Sequence, residues 1–336
     1  MLEKPSISDE LIKHMLLSGY GLFVQSINFL ALGADQNTAV YKVVTTDHQV
    51  YFVKLRFGDL NIAAVTIPRY LYDEGIMQII PPIPLLNSSL WMEKDNFTLQ
   101  VYPFIEGHHG YHSKLTESQW RVFGQTIKLI HNIHLNTLIR TMVPKEEYST
   151  AFGDRLRKVL ENINSYSQED DLCQETVKFL IEKKTAILDL VQRSETLAKV
   201  LKKQPSEIVL CHGDMHGWNL LIGQEGDLYL VDWDTLVLAP KERDLMFIGA
   251  GLGNSGYSPE EEAYLFYDGY GETEINQLAI AYYRYARIVE DVAVICDQIF
   301  HSEEEGEDRK QALLYLKSNF DPGGTIDTAY LADLTR

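Results

Sequence analysis

Ile208-Val209-Leu210-Cys211-His212-Gly213-Asp214-Met215-His216-Gly217-Trp218-Asn219-Leu220-Leu221-Ile222-Gly223-Gln224-Glu225-Gly226-Asp227-Leu228-Tyr229-Leu230-Val231-Asp232-Trp233-Asp234 is the stretch from which the rest of the chain can be read. Short apolar runs, Ile208–Leu210, Leu220–Ile222 and Leu228–Val231, enclose a polar loop that holds His212, Asp214, His216 and Asn219. Gly223 to Asp227 offers the positive-φ positions a hairpin turn needs, so the last two runs read as paired strands. Asp214, Asn219 and Asp232 thus stand at the edges of short buried strands, where a rigid backbone aims polar side chains. Such a set suits phosphoryl transfer. That reaction needs a carboxylate for the proton of the attacking hydroxyl and oxygen ligands for a metal on the phosphates. An Asp, an Asn five residues later and an Asp beyond a hairpin supply both. Mg²⁺ prefers such oxygens and keeps some waters of its own.

His-Gly-Asp-x-His-x-x-Asn followed by Asp-Trp-Asp resembles the catalytic loop of the aminoglycoside phosphotransferases and their choline-kinase-like relatives. The resemblance continues through Ala239-Pro240-Lys241-Glu242-Arg243-Asp244-Leu245 and covers nearly the whole chain. Within the family it is most similar to the spectinomycin phosphotransferases. It implies an α+β, two-lobed protein-kinase-like fold, with a small antiparallel-sheet N-lobe over residues 1–106 and a larger, mainly helical C-lobe over 107–336. It also implies Asp214 as the base and Asn219 and Asp232 as Mg²⁺ ligands. The expected activity is transfer of the γ-phosphoryl group of ATP to a hydroxyl of an aminocyclitol or aminoglycoside antibiotic. Alternatives are a kinase of a choline-, homoserine- or sugar-like alcohol and, in another class, an ATP-binding pseudokinase.

Upstream, Val24–Ala31, Ala39–Thr45 and Gln49–Arg56 read as strands. A helix precedes them, capped by Ser6 and ended at Gly19 or Gly21. In Tyr51-Phe52-Val53-Lys54-Leu55, alternation puts Lys54 on the face opposite Val53 and Leu55. A lysine on so apolar a strand needs an anion to satisfy it. It resembles the strand lysine that holds the ATP α/β-phosphates. That lysine ordinarily pairs with a Glu on the next helix, but Ile62 stands at that place. Asp59, Asp73 and Glu74 are the nearest candidates to substitute. Pro68 is expected to bend or restart the helix. The Leu32–Thr38 loop, Asn37 included, could set backbone N–H groups over phosphates. Tyr102-Pro103-Phe104-Ile105-Glu106-Gly107 resembles the hinge between lobes. There the Pro103 carbonyl and the Ile105 N–H, beside Tyr102, would meet adenine.

Thr116-x-x-Gln119 is a capping box opening a helix with Trp120, Phe123, Ile127, Ile130 and His134 at helical spacing. His131 and His134 read as surface histidines. Residues 168–203 read as one or two long amphipathic helices, and Ser258-Pro259-Glu260-Glu261 as a capped helix start. Tyr283, Arg287, Glu290 and Asp291 follow on one helix, which reads either as a substrate wall for a polar cation or as an ordinary amphipathic helix. Glu303 to Asp308 reads as an acidic loop.

The 336 residues carry a net charge of −18. Residues 1–106 hold 11 acidic and 7 basic side chains and the remainder 37 and 23, so the excess lies mainly beyond residue 106. Nucleic acid is thereby an unexpected partner, and a cationic small molecule a favoured one. Three widely spaced cysteines define no disulfide framework, as in a reducing cytoplasm. The first residues lack the pattern of a signal peptide and no apolar run approaches a membrane span, so no membrane partner is expected. A monomer or a homodimer is compatible with this composition.

Overall fold

A computed structural model describes residues 3–32, 37–111, 113–168, 170–250, 256–301 and 307–334. The chain divides into two compact units, each built from three segments. The first holds residues 1–144, 212–237 and 251–272; the second holds 145–211, 238–250 and 273–336.

The first unit opens with the helix Asp9–Tyr20. Ser8, not Ser6, caps it by accepting from the Leu11 N–H, and Gly21 at φ 71° closes it in the left-handed conformation. Five antiparallel strands follow: β1 (Val24–Leu30), β2 (Thr38–Thr45), β3 (Val50–Phe57), β4 (Met92–Lys94) and β5 (Phe97–Pro103), in the order β1-β2-β3-β5-β4. The period-2 alternation in β3 sends Val53 and Leu55 into the core, both fully buried. They join Ile12, Met15 and Leu16 from the first helix, Tyr41 and Val43 from β2, and Leu99 and Val101 from β5. Each such aliphatic side chain contributes about 1.5–3 kcal/mol on burial. Lys54, on the other face of β3, stands in register between Val40 of β2 and Gln100 of β5.

The helix Ile62–Asp73 runs through Pro68 without a break. Pro68 is buried together with Ala63, Ala64, Val65, Ile67 and Leu71. Packing of that face outweighs the hydrogen bond a proline removes. Pro81 to Pro84 forms no helix, as its composition requires, and the Ile83 N–H donates to the Val101 carbonyl at 2.7 Å. Glu117–His131 starts at the Thr116–Gln119 capping box and packs against Pro259–Tyr270, which starts at the Ser258–Glu261 box. Gly124 and Gly269 allow this approach. A Cβ at Gly124 would collide with the Phe266 carbonyl oxygen, and one at Gly269 with that of Arg121. His131 is buried rather than on the surface. Its Nδ1 lies 2.8 Å from the Tyr270 hydroxyl, and the helix ends before His134. A three-stranded sheet of Gly107–His109, Leu220–Gly223 and Leu228–Leu230 completes the unit.

The second unit is mainly helical. Asp171–Leu201 is one continuous helix of 31 residues and packs against Gln277–His301. Ala151–Glu161 lies against both, held by a two-pronged pair from Arg157 to Glu195 at 2.6 and 2.8 Å. The buried Arg309 donates to the Ile299 carbonyl at 2.8 Å and pairs with Asp170 at 2.8 Å. Among the described residues, no helix is long and apolar enough to cross a membrane. The Glu303–Asp308 run lies mostly outside the described residues.

Candidate active site

The side chains that sequence reasoning singled out for chemistry, Lys54, Asp214, Asn219 and Asp232, all belong to the first unit. The loop between Cys211 and Leu220 is braced from within. His212 is fully buried, with Nε2 3.0 Å from the Val231 carbonyl oxygen and Nδ1 3.3 Å from the Asp214 backbone nitrogen. A carbonyl accepts and an amide N–H donates, so the ring must carry its proton on Nε2 and accept at Nδ1. His212 thus ties the Asp214 backbone to the end of the hairpin. Gly213 at φ 85° has no room for a side chain: a Cβ would run into the Thr235 carbonyl oxygen. The Thr235 hydroxyl donates to the His212 carbonyl at 3.1 Å, closing the same contact from the other side.

Asn219 is buried, and its Nδ2 donates to the Asp214 carbonyl at 2.8 Å. The amide is thereby oriented, with its nitrogen engaged by the loop. The Asn219 carbonyl in turn accepts from the Val231 N–H at 3.0 Å, which joins loop and hairpin. His216 Nε2 lies 3.3 Å from Asp214 Oδ2. The Asp214 carboxylate therefore has a ring beside it and a fixed backbone beneath it.

The hairpin forms where the sequence places it. Leu220–Gly223 pairs antiparallel with Leu228–Leu230, and Gly226 at φ 89° makes the turn. Just beyond, Asp232 adopts φ 65°, a left-handed conformation that side chains other than glycine adopt at a cost of about 1–2 kcal/mol. Its carboxylate is 55% exposed and approaches Lys54 Nζ to 4.0 Å. Asp234 lies closer: its Oδ2 is 2.9 Å from Lys54 Nζ and 3.7 Å from Arg56 Nη1. None of Asp59, Asp73 and Glu74 is placed against the lysine in this way, and Asp73 pairs with Arg69. The acidic partner of Lys54 is thus 180 residues away in sequence, which corrects the expectation of a substitute near the following helix.

Burial opposes the charge on Lys54, but Asp234 and then Asp232 outweigh it and hold the ammonium above its ordinary pKa. Burial likewise pushes the Asp234 carboxyl up, and Lys54 beside it more than reverses this, so it stays below the usual carboxylate range. Burial raises the Tyr102 phenol to about 12, with Lys54 pulling the other way.

The stretch expected to be a hinge is held by both sheets. Pro103 pairs with Tyr51, the Phe104 N–H donates to the Val50 carbonyl at 3.3 Å, and the Glu106 carbonyl accepts from Gln224 at 3.1 Å. Lys42 pairs with Glu106 and sits 4.4 Å over the Phe104 ring. Asn37 accepts from the Phe57 N–H at 2.8 Å, while residues 33–36 of its loop lie outside the described residues. The expected substrate wall lies on Gln277–His301 of the second unit. Tyr283 is only 1% exposed there and packs against Tyr148 and Tyr282, so it is core rather than wall. Arg287 and Asp291 are half-buried and paired with each other at 2.8 Å, and Glu290 is also half-buried.

An antiparallel sheet carrying a half-buried, carboxylate-paired lysine, joined to a loop-and-hairpin that presents Asp, Asn and Asp, defines a kinase-like phosphotransferase. Residues 28–287 match the phosphotransferase enzyme family, and the chain belongs to it. Among solved structures it is similar to spectinomycin phosphotransferase APH(9)-Ia in complex with ADP and spectinomycin. That likeness has 34% identity, a TM-score of 0.89, and coverage of 98% of this chain and 99% of that one. The fold is shared more distantly with an amicoumacin kinase in complex with AMP-PNP and Ca²⁺, at 15% identity, TM-score 0.62, and 96% and 94% of the two chains. It is shared also with a choline kinase from Streptococcus pneumoniae, at 17% identity, TM-score 0.54, and 92% and 99%.

Proposed function

We propose that this enzyme transfers the γ-phosphoryl group of ATP to a hydroxyl of an aminocyclitol antibiotic, with spectinomycin the first candidate, and so confers resistance. The observation that carries this reading is the braced set of Asp214, Asn219, Asp232 and Lys54 in a chain 34% identical, over nearly its full length, to a spectinomycin phosphotransferase. Asp214 orients the acceptor hydroxyl and takes its proton, with His212 and His216 fixing the loop and the carboxylate. Lys54 holds the phosphates. The backbone at Tyr102, Pro103 and Ile105 receives adenine, which makes residues 1–106 the nucleotide lobe and 107–336 the catalytic and substrate lobe. Asn37 and its loop cover the phosphates, and Arg287, Glu290 and Asp291 contribute to substrate binding.

Asn219 and Asp232 offer an amide and a carboxylate oxygen, a donor set that fits a hard cation such as Mg²⁺. When bound there, Mg²⁺ neutralises developing phosphate charge. The chain works in the cytoplasm on a cationic small molecule, and its acidic excess draws such a substrate in.

The test is MgATP consumption by the purified protein, with mass detection of product. The acceptor panel holds spectinomycin, kanamycin-type and streptomycin-type antibiotics, choline and homoserine. A gain of one phosphoryl group on spectinomycin alone is expected. Product on choline or homoserine instead would replace the antibiotic reading. ATP binding with no product on any acceptor would favour a pseudokinase.

A further inference from the structure

The Lys54 ammonium is half-buried, and a charge taken even partly out of water needs a fixed counter-charge to offset the solvation it loses. In this chain the helix that follows β3 supplies none. Its first residue, Ile62, is apolar and 47% exposed. The counter-charge comes instead from the segment that carries Asp232. Asp234 Oδ2 sits 2.9 Å from Lys54 Nζ, with Arg56 Nη1 3.7 Å from the same oxygen.

A second contact fixes the backbone of that carboxylate. Asn61 Nδ2 donates to the Asp234 carbonyl at 3.1 Å, while Asn61 Oδ1 caps the helix Ile62–Asp73 by accepting from the Ala64 N–H at 3.4 Å. One amide side chain thus uses both its ends, one on the helix and one on the Asp234 backbone. The helix reaches the lysine through a strut and a carboxylate rather than through a side chain of its own.

We propose that Asp234 is the positioning residue for Lys54, and that Asn61 is the strut that sets Asp234. The inference rests on the reading that Lys54 holds nucleotide phosphates. It makes Asp232 to Asp234 a single device: one carboxylate faces the metal position and the other holds the lysine. Any shift of this turn moves both together.

The experiment is a double-mutant cycle of wild type, Asp234→Asn, Lys54→Met and the double variant, with Asp234→Glu and Asn61→Ala beside it. Two readouts are taken: kcat and KM for ATP with spectinomycin as acceptor, and ADP affinity measured calorimetrically without Mg²⁺. Thermal melts establish that each protein is folded. Asp234→Asn should lower kcat by roughly 2- to 100-fold, the span of coupling between contacting groups. Asp234→Glu should recover most of that. In the Lys54→Met background the same change should cost nothing further, in turnover or in ADP binding. Asn61→Ala should show a smaller loss of the same kind, and it carries the test if Asp234→Asn does not fold. Equal losses in both backgrounds would overturn the proposal. So would a change in the Mg²⁺ requirement alone, which would make Asp234 a metal ligand. If the wild type phosphorylates no acceptor, the functional reading fails, and the Mg²⁺-free ADP cycle still decides whether the two side chains act as a pair.

Discussion

Asp232 combines an exposed carboxylate with a left-handed backbone, and the two can be separated by substitution. Glycine adopts φ 65° freely, whereas a β-branched side chain there is a severe outlier. Asp232→Val should therefore be less stable than Asp232→Gly by about 1–2 kcal/mol, read from denaturant midpoints at constant slope. Under the proposed role of Asp232 as a metal ligand, both should lose Mg²⁺-dependent turnover, since neither keeps a side-chain oxygen there. Equal stability of the two would mean that the backbone relaxes at this turn. For Asp214 the expected loss is one of rate. Asp214→Asn keeps size and polarity but cannot take a proton, and should cost about 10²–10⁴-fold in kcat with an unchanged melt. Wild-type turnover by this variant would remove Asp214 from the role of base. Asp214, Asn219 and Asp232 were legible because all lie within 19 residues around a hairpin with an unmistakable turn. Asp234 as partner of Lys54 was not. The pair spans 180 residues, and nothing local in either segment distinguishes Asp234 from the nearer carboxylates.

At the scale of elements, the strands β1, β2 and β3 and both capping boxes were readable because alternation and caps are local signals. What escaped depends on neighbours. Pro68 stays inside a helix because its face is buried, and His131 is internal because Pro259–Tyr270 covers it. The contrast predicts two different sensitivities in one helix pair. Ser258→Ala removes a cap and should cost about 1 kcal/mol. Gly124→Ala forces a methyl against the Phe266 carbonyl and should cost roughly 1–3 kcal/mol, although alanine is the better helix former. Paired denaturation curves check the order. A Gly124→Ala protein more stable than wild type would show that the two helices can separate without penalty.

At the scale of the whole molecule, the sequence is cut into six consecutive segments, three for each unit, so the backbone passes from one unit to the other five times. The segment 212–237 carries the candidate base, the hairpin and Asp232. The pairing of Val209–Cys211 with Val237–Ala239 closes its stem. Opening that stem releases both ends of the segment and adds loop-closure entropy to the cost of keeping it folded. The two units should therefore unfold together. The chain contains its own probes for this. All four tryptophans (Trp91, Trp120, Trp218 and Trp233) lie in the first unit, and all three cysteines (Cys173, Cys211 and Cys296) in the second. The thiols are fully buried, and burial pushes Cys211 well above the ordinary thiol range and Cys296 up to about 12. Because the thiolate is the reactive form, none should react with a disulfide reagent at pH 8 in the folded protein, and all three should react once it unfolds. Thiol exposure and tryptophan fluorescence should then follow one transition in denaturant, since coincidence of independent probes is the mark of cooperative unfolding. Thiols that become reactive while the fluorescence is still native would show that the helical unit opens alone, and that the closed stem contributes little to holding the catalytic segment.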